Sequence, residues 1–103
     1  MVIGYKIFWT TNAQKELSAI LEYLTIKWTS KEIKAFIERL ENVLFLMSQN
    51  PEMFQVSSVK VNIRKAIISK HNTIYFRVKN KQIEILSLFA NKQSPEKLKK
   101  RLK

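Results

Sequence analysis

His71, Tyr75 and Arg77 lie within seven consecutive residues, and His71 is the only histidine in the chain. Histidine is the side chain whose unperturbed pKa lies nearest neutrality. With a tyrosine or a depressed lysine as its proton partner and arginine as a cation, it could cleave RNA without a metal. That reaction needs a general base, a general acid and positive charge for the developing phosphorane. Arg64, Lys65, Lys70 and Lys92 offer further cations. The same residues could instead bind a polyanion with no proton transfer at all. A lone histidine between Lys70 and Asn72 is commonly a solvated turn residue, and lysines commonly blunt exposed strand edges. The residue types alone leave these readings open.

Other chemistries are excluded by what the chain lacks. There is no cysteine and no aspartate, which removes disulfides, thiolate metal sites, cysteine nucleophiles and a Ser-His-Asp triad. One histidine cannot make a two-histidine metal site, so neither metal nor cofactor is expected. The single glycine, Gly4, rules out the glycine-rich phosphate loops. No apolar run reaches the ~20 residues of a membrane span, and no basic-then-apolar leader opens the chain. A cytoplasmic location without membrane contact is the expectation.

Charge is distributed unevenly. Nineteen lysines and arginines face eight glutamates, a net charge of +11. Residues 1–56 hold six of each sign, whereas residues 57–103 hold thirteen basic and two acidic residues. Such an excess points to a polyanionic partner, whether nucleic acid, an acidic protein segment or an anionic surface. A surface charged only for solubility is the plainer alternative.

The elements that must position these residues follow from periodicity. At 103 residues the chain is long enough for one domain with one core. Residues 2–9 are β-branched and aromatic, which predicts a strand. Thr11 and Gln14 have capping-box spacing. Ala13, Leu17, Ile20, Leu21, Leu24 and Trp28 then mark one helix face. Thr29 and Glu32 make a second capping box, with Trp28 and Ile33 placed as a hydrophobic staple. Ile33, Phe36, Ile37, Leu40, Val43, Leu44 and Met47 mark a second helix, which Asn50-Pro51 ends. So short a link predicts an antiparallel helix hairpin.

The second half alternates with period two. Val59, Val61 and Ile63 predict a strand whose parity slips near Lys65-Ala66. Lys70-His71-Asn72 and Asn80-Lys81 are expected turns. Between them Ile74, Phe76 and Val78 face one way, while Thr73, Tyr75, Arg77 and Lys79 face the other. Residues 82–89 are apolar enough for a central strand. Ser94-Pro95-Glu96 predicts a short final helix anchored by Leu98 and Leu102. The expected class is α+β: an N-terminal strand, a helix hairpin, then an antiparallel β-meander with the helices on one face. The open face should carry Tyr75, Arg77 and one of Arg64 or Lys65. Phe8, Trp9, Trp28, Phe36, Phe45 and Phe89 are expected in the core.

This order, with these local sequences, resembles the RelE/ParE superfamily of bacterial toxins from type II toxin–antitoxin modules. The carriers are Tyr5-Lys6-Ile7-Phe8-Trp9-Thr10 leading into Ala13-x-x-x-Leu17, the hairpin closed by Asn50-Pro51, the Arg64-Lys65 pair, residues 71–78, and Ile83-x-Ile85-Leu86. The resemblance implies a basic toxin neutralised in a hetero-oligomer by a cognate acidic antitoxin. RelE-like members cleave messenger RNA on the ribosome, and ParE-like members inhibit DNA gyrase without being nucleases. Thr73 stands where the ribonuclease branch has an arginine, and the tail has no tyrosine. Residues 71–78 resemble the ParE branch more closely. The resemblance therefore implies Arg64, Lys65, Lys70, His71, Tyr75, Arg77 and Lys92 as binding residues of a gyrase inhibitor. The alternatives are a ribosome-dependent endoribonuclease using His71, Tyr75 and Arg77, and a general nucleic-acid-binding domain.

Overall fold

The computed structural model describes residues 4–57, 62–69 and 72–90. Strand β1 (Lys6–Trp9) is followed by helices α1 (Thr11–Lys27) and α2 (Ser30–Gln49) and a 3₁₀ turn at Pro51–Met53. Strands β2 (Gln55–Val56), β3 (Arg64–Ile67), β4 (Asn72–Lys79) and β5 (Gln82–Ala90) complete the order. Among the described residues the five strands form one sheet in the order β1-β5-β4-β3-β2. The architecture is the expected α+β arrangement, with two additions. β1 pairs in parallel with β5, making the sheet mixed, and the two-residue β2 edges β3. The predicted C-terminal helix, the Lys70-His71 turn and the Val59-to-Val61 stretch lie outside the described residues.

Each helix begins where a side chain can satisfy its free N–H groups. For α1 the cap is Thr10, one residue before the expected Thr11. Its backbone is extended, and its hydroxyl accepts from Ala13 N at 3.2 Å. With Thr10 as the cap, the capping-box position falls on Ala13 and no box forms, while the Gln14 amide donates to the Trp9 carbonyl at 3.1 Å. The Thr29–Glu32 box forms as its spacing predicts, with both hydrogen bonds at 3.2 Å. Only Trp28 and Thr29 separate the helices, and α2 returns to the start of β1, where its Ser48 carbonyl accepts from Tyr5 N at 2.8 Å. Gly4 sits at that approach. A Cβ there would meet the Ser48 carbonyl oxygen at 3.3 Å and the Gln49 amide nitrogen at 3.2 Å.

The helix stripes and one sheet face make the main core. Ala13 and Leu24 of α1 and Phe36, Leu40 and Met47 of α2 are buried against Ile74, Phe76, Ile83, Ile85 and Leu88. Leu17, Ile20, Leu21, Trp28, Ile33, Val43 and Leu44 pack around them. Three expected core members are exposed instead. Ile37 lies at the margin of its stripe, one residue round the helix from Phe36. Phe45 faces outward from α2 and is 63% exposed. Phe8 is 51% exposed, because in a strand whose Ile7 and Trp9 reach the core the residue between them must point away.

β5 serves the core along its whole length only because its parity changes once. Phe76 pairs with Ile85 and Tyr75 with Ser87, leaving Leu86 as the extra residue of a β-bulge. Ile83 and Ile85 before it and Leu88 after it therefore face the helices together. Without the bulge, Leu88 would point to the other face.

Two substitutions test this packing. Leu40→Ala should cost ~2–5 kcal/mol in urea unfolding through lost burial and the cavity left behind. An unchanged midpoint would refute the assignment of that face. At the β4–β5 turn Asn80 and Lys81 have φ of 52° and 61°. This is the two-residue hairpin geometry that favours glycine at its second position. Lys81→Gly should raise the melting temperature, since relief of the left-handed backbone outweighs the entropy cost by up to ~1 kcal/mol.

Candidate functional site

The sheet face turned away from the helices is laid out by register. One cross-strand row runs Phe8, Glu84, Arg77, and the next runs Lys6, Gln82, Lys79. Beyond the bulge a third row runs Tyr75, Lys65, Gln55, and a fourth runs Phe89, Thr73, Ile67, while Ser87, the strand partner of Tyr75, turns its hydroxyl to Glu16 of α1. Tyr75, Arg77 and Lys65 thus share the open face, as period two predicts. Arg64 pairs with Phe76 and lies on the other side. This resolves the choice between Arg64 and Lys65. Lys70, His71 and Lys92 lie outside the described residues.

The two ends of this face differ in character. Tyr75 is 9% exposed and belongs to a small second core with Ile63, Phe89 and the half-buried Leu86. Its ring meets Phe89 edge to face, centroids 6.3 Å apart. Burial raises the Tyr75 phenol above its usual pKa of 10.0, because the phenolate would lose water without gaining a counter-charge. At neutral pH this group is a poor base. Toward β1, Phe8, Arg77, Glu84, Lys79, Gln82 and Lys6 make a more open, mixed-charge surface.

Two of the arginines are already engaged. Arg77 Nε donates to Glu84 Oε1 at 3.1 Å and its terminal nitrogen to Oε2 at 3.5 Å. The pair sits directly across two strands and is part-exposed, so its net contribution is about 0.2–1 kcal/mol. Arg64 donates to the Phe54 carbonyl at 2.7 Å and to the Glu52 carbonyl at 3.4 Å, tying the turn after α2 to the sheet. It also borders a 220 Å³ cleft with Tyr5, Pro51, Glu52, Asn62 and Val78. Among the described residues, no cluster of histidine, cysteine and carboxylate side chains could hold a metal ion. None of the described helices is long and apolar enough to cross a membrane.

One set of surface neighbours is not visible in the sequence. Phe8, Lys79, Asn80, Gln82 and Glu84 line a shallow cavity of about 290 Å³. Phe8 is more than seventy residues from the others, and only the parallel β1–β5 pairing brings it there. An unpaired apolar residue flanked by two core residues in β1 was the available signal.

A mixed five-stranded sheet behind a helix pair, with a basic open face, is the architecture of a known group of small toxins. The fold is similar to a solved chain of the chromosomal ParDE toxin–antitoxin system of P. aeruginosa. The TM-score is 0.70 at 19% identity, covering 84% of this chain and 95% of that one. It is also similar to a conserved hypothetical protein of Helicobacter pylori, with a TM-score of 0.54, 16% identity and coverage of 86% and 97%. No curated protein matches the sequence significantly. The family model for the ParE toxin of the type II toxin–antitoxin system parDE matches residues 7–95. The chain belongs to the ParE toxin family, and its place in the RelE/ParE superfamily and its class as a type II toxin follow.

Burial of Tyr75 gives a measurable pH dependence. A phenol whose folded pKa is raised contributes stability that is complete below the unfolded value of 10.0. That stability is lost as pH rises through the folded value. Absorbance of phenolate during alkaline titration should show a component above the ordinary tyrosine range, and Tyr75→Phe should remove it. Loss of a component at the ordinary position would show a solvated ring.

Proposed function

We propose that this toxin arrests growth by binding DNA gyrase, acting through inhibition and not through RNA cleavage, and that a cognate acidic antitoxin neutralises it in the cytoplasm. Membership of the ParE toxin family supports the target class, since the ParE-like branch it resembles inhibits gyrase. The observation that carries the non-nuclease reading is the state of the open face. Of the three residues a nuclease reading requires, Tyr75 is buried with its phenol held neutral, and Arg77 is neutralised by Glu84. Proton transfer to and from a ribose needs a donor and an acceptor in reach of one substrate, and burial of Tyr75 counts against that. The binding charges on this reading are Lys65 on the open face and Arg77, which must exchange Glu84 for the partner, with Arg64, Lys70, His71 and Lys92 as further candidates.

The antitoxin reading draws on charge. A net +11 concentrated in residues 57–103 steers an acidic partner and speeds its encounter. Association should slow steeply with added salt while dissociation changes little.

Induced expression should inhibit negative supercoiling by gyrase before any message is cleaved. Arg77→Ala and His71→Ala should weaken growth arrest modestly, by ~1 kcal/mol or less each, as expected for solvent-screened contacts. Cleavage of ribosome-bound message that either variant abolishes, in a protein that still folds, would replace this reading with the endoribonuclease. That loss would match the ~2.7–4 kcal/mol typical of a removed transition-state contact.

A further inference from the structure

The β1 side of the open face combines features that no part of the fold requires. Phe8 presents a half-exposed ring in the cavity it shares with Lys79, Asn80, Gln82 and Glu84. Lys6 lies across Gln82 from Lys79 in the adjoining row, and Lys81 follows in the turn. Neither Lys6 nor Lys79 has an ion-pair partner among the described residues. The one carboxylate in the wall, Glu84, is held by Arg77. Phe8 is the one apolar residue in the lining, and Lys79 is its charge without an ion-pair partner among the described residues. The hairpin turn that sets Lys79 opposite Gln82 is a closed two-residue loop, so this rim is built before any ligand arrives.

We propose that this cavity is a docking site for an acidic protein segment carrying one large apolar anchor residue. The anchor packs on Phe8, and flanking carboxylates pair with Lys79 and Lys6. Three observations select this occupant. A volume of about 290 Å³ falls at the lower limit of ligand pockets (~300–1,000 Å³) and suits one side chain better than a nucleotide. An exposed aromatic beside unpaired cations is complementary to an apolar residue flanked by acids, the arrangement in which a single anchor carries most of the affinity. With Glu84 compensated by Arg77, the remaining charges form a short patch, unlike the continuous basic stripe that follows a nucleic-acid backbone. The site lies apart from the buried Tyr75 end and rests on the geometry of the cavity, whichever cellular target the toxin has.

The test is fluorescence anisotropy of the full chain with a short fluorescein-labelled peptide of glutamates around a central tryptophan. The anchored peptide should bind at least about tenfold more tightly than an all-glutamate peptide of equal length. Phe8→Ser and, separately, Lys79→Glu should each weaken it about tenfold or more with unchanged melting temperature. Phe45→Ser removes an equally exposed ring from α2 and should leave binding intact. A single-stranded oligonucleotide of matched charge should not displace the peptide. The proposal is overturned by no binding at millimolar protein, or by equal binding of the unanchored peptide. It is also overturned if Lys79→Glu folds and binds normally, or if the oligonucleotide displaces the peptide.

Discussion

One hydroxyl joins the three parts of this fold. Thr10 ends β1, caps α1 through Ala13 N, and donates to the Ile85 carbonyl at 2.8 Å, where β5 bulges. Its own N–H reaches the same carbonyl at 3.2 Å. Asn12 in the first turn of α1 donates to the Leu86 carbonyl at 3.1 Å and to Glu16 at 2.8 Å, and the buried Ser87 donates to Glu16 at 2.9 Å. A bulge leaves backbone groups outside the ladder, and unpaired buried carbonyls are costly. Here the start of a helix satisfies them. The bulge in turn keeps Ile83, Ile85 and Leu88 on one face, so the main core depends on a polar contact at its margin.

The same bulge divides the open face. Leu86 is placed against Tyr75, Ile63 and Phe89, which closes that end into an apolar cluster. On the other side of the bulge the Glu84–Arg77 pair and the lysines remain accessible. Only part of this chain's large positive charge is thus free on the open face. Arg77 is compensated across the strand, and Arg64 holds a carbonyl on the opposite side. On the proposed reading, recognition of an acidic partner falls chiefly to lysines such as Lys6, Lys79 and Lys65, whose long stems adapt more readily than a guanidinium fixed in a pair.

Local interactions were legible in the sequence, and distant ones were not. The helix stripes, the Thr29–Glu32 box, the stop at Asn50-Pro51 and the Asn80-Lys81 turn each depend on residues a few positions apart. Period two in residues 73–79 placed Tyr75 and Arg77 on one face correctly. The parallel β1–β5 pairing leaves no trace in either strand's own pattern, so the meeting of Phe8 with Lys79 was hidden. Arg64 shows a subtler failure. Its alternation with Ile63 was real, but which residue faced the helices was open. Ile63 found the Tyr75 cluster, and the guanidinium found the Phe54 carbonyl on the helix side. The early placement of the α1 cap at Thr10 likewise depended on β5, some seventy-five residues away.

Pairing β1 with β5 also orders events during synthesis. β1, α1 and α2 leave the ribosome long before residues 82–90 exist, and among the described residues β1 has no other strand beside it. Until β5 emerges, β1 lacks its partner strand and the helix stripes can meet only the residues of the β3–β4 pair. Non-local pairing of this kind is slow, and it leaves apolar surface exposed in the meantime. A nascent chain arrested before β5 therefore has neither the completed open face nor the Phe8 cavity. Whatever this toxin does through that face begins only once β5 has been made.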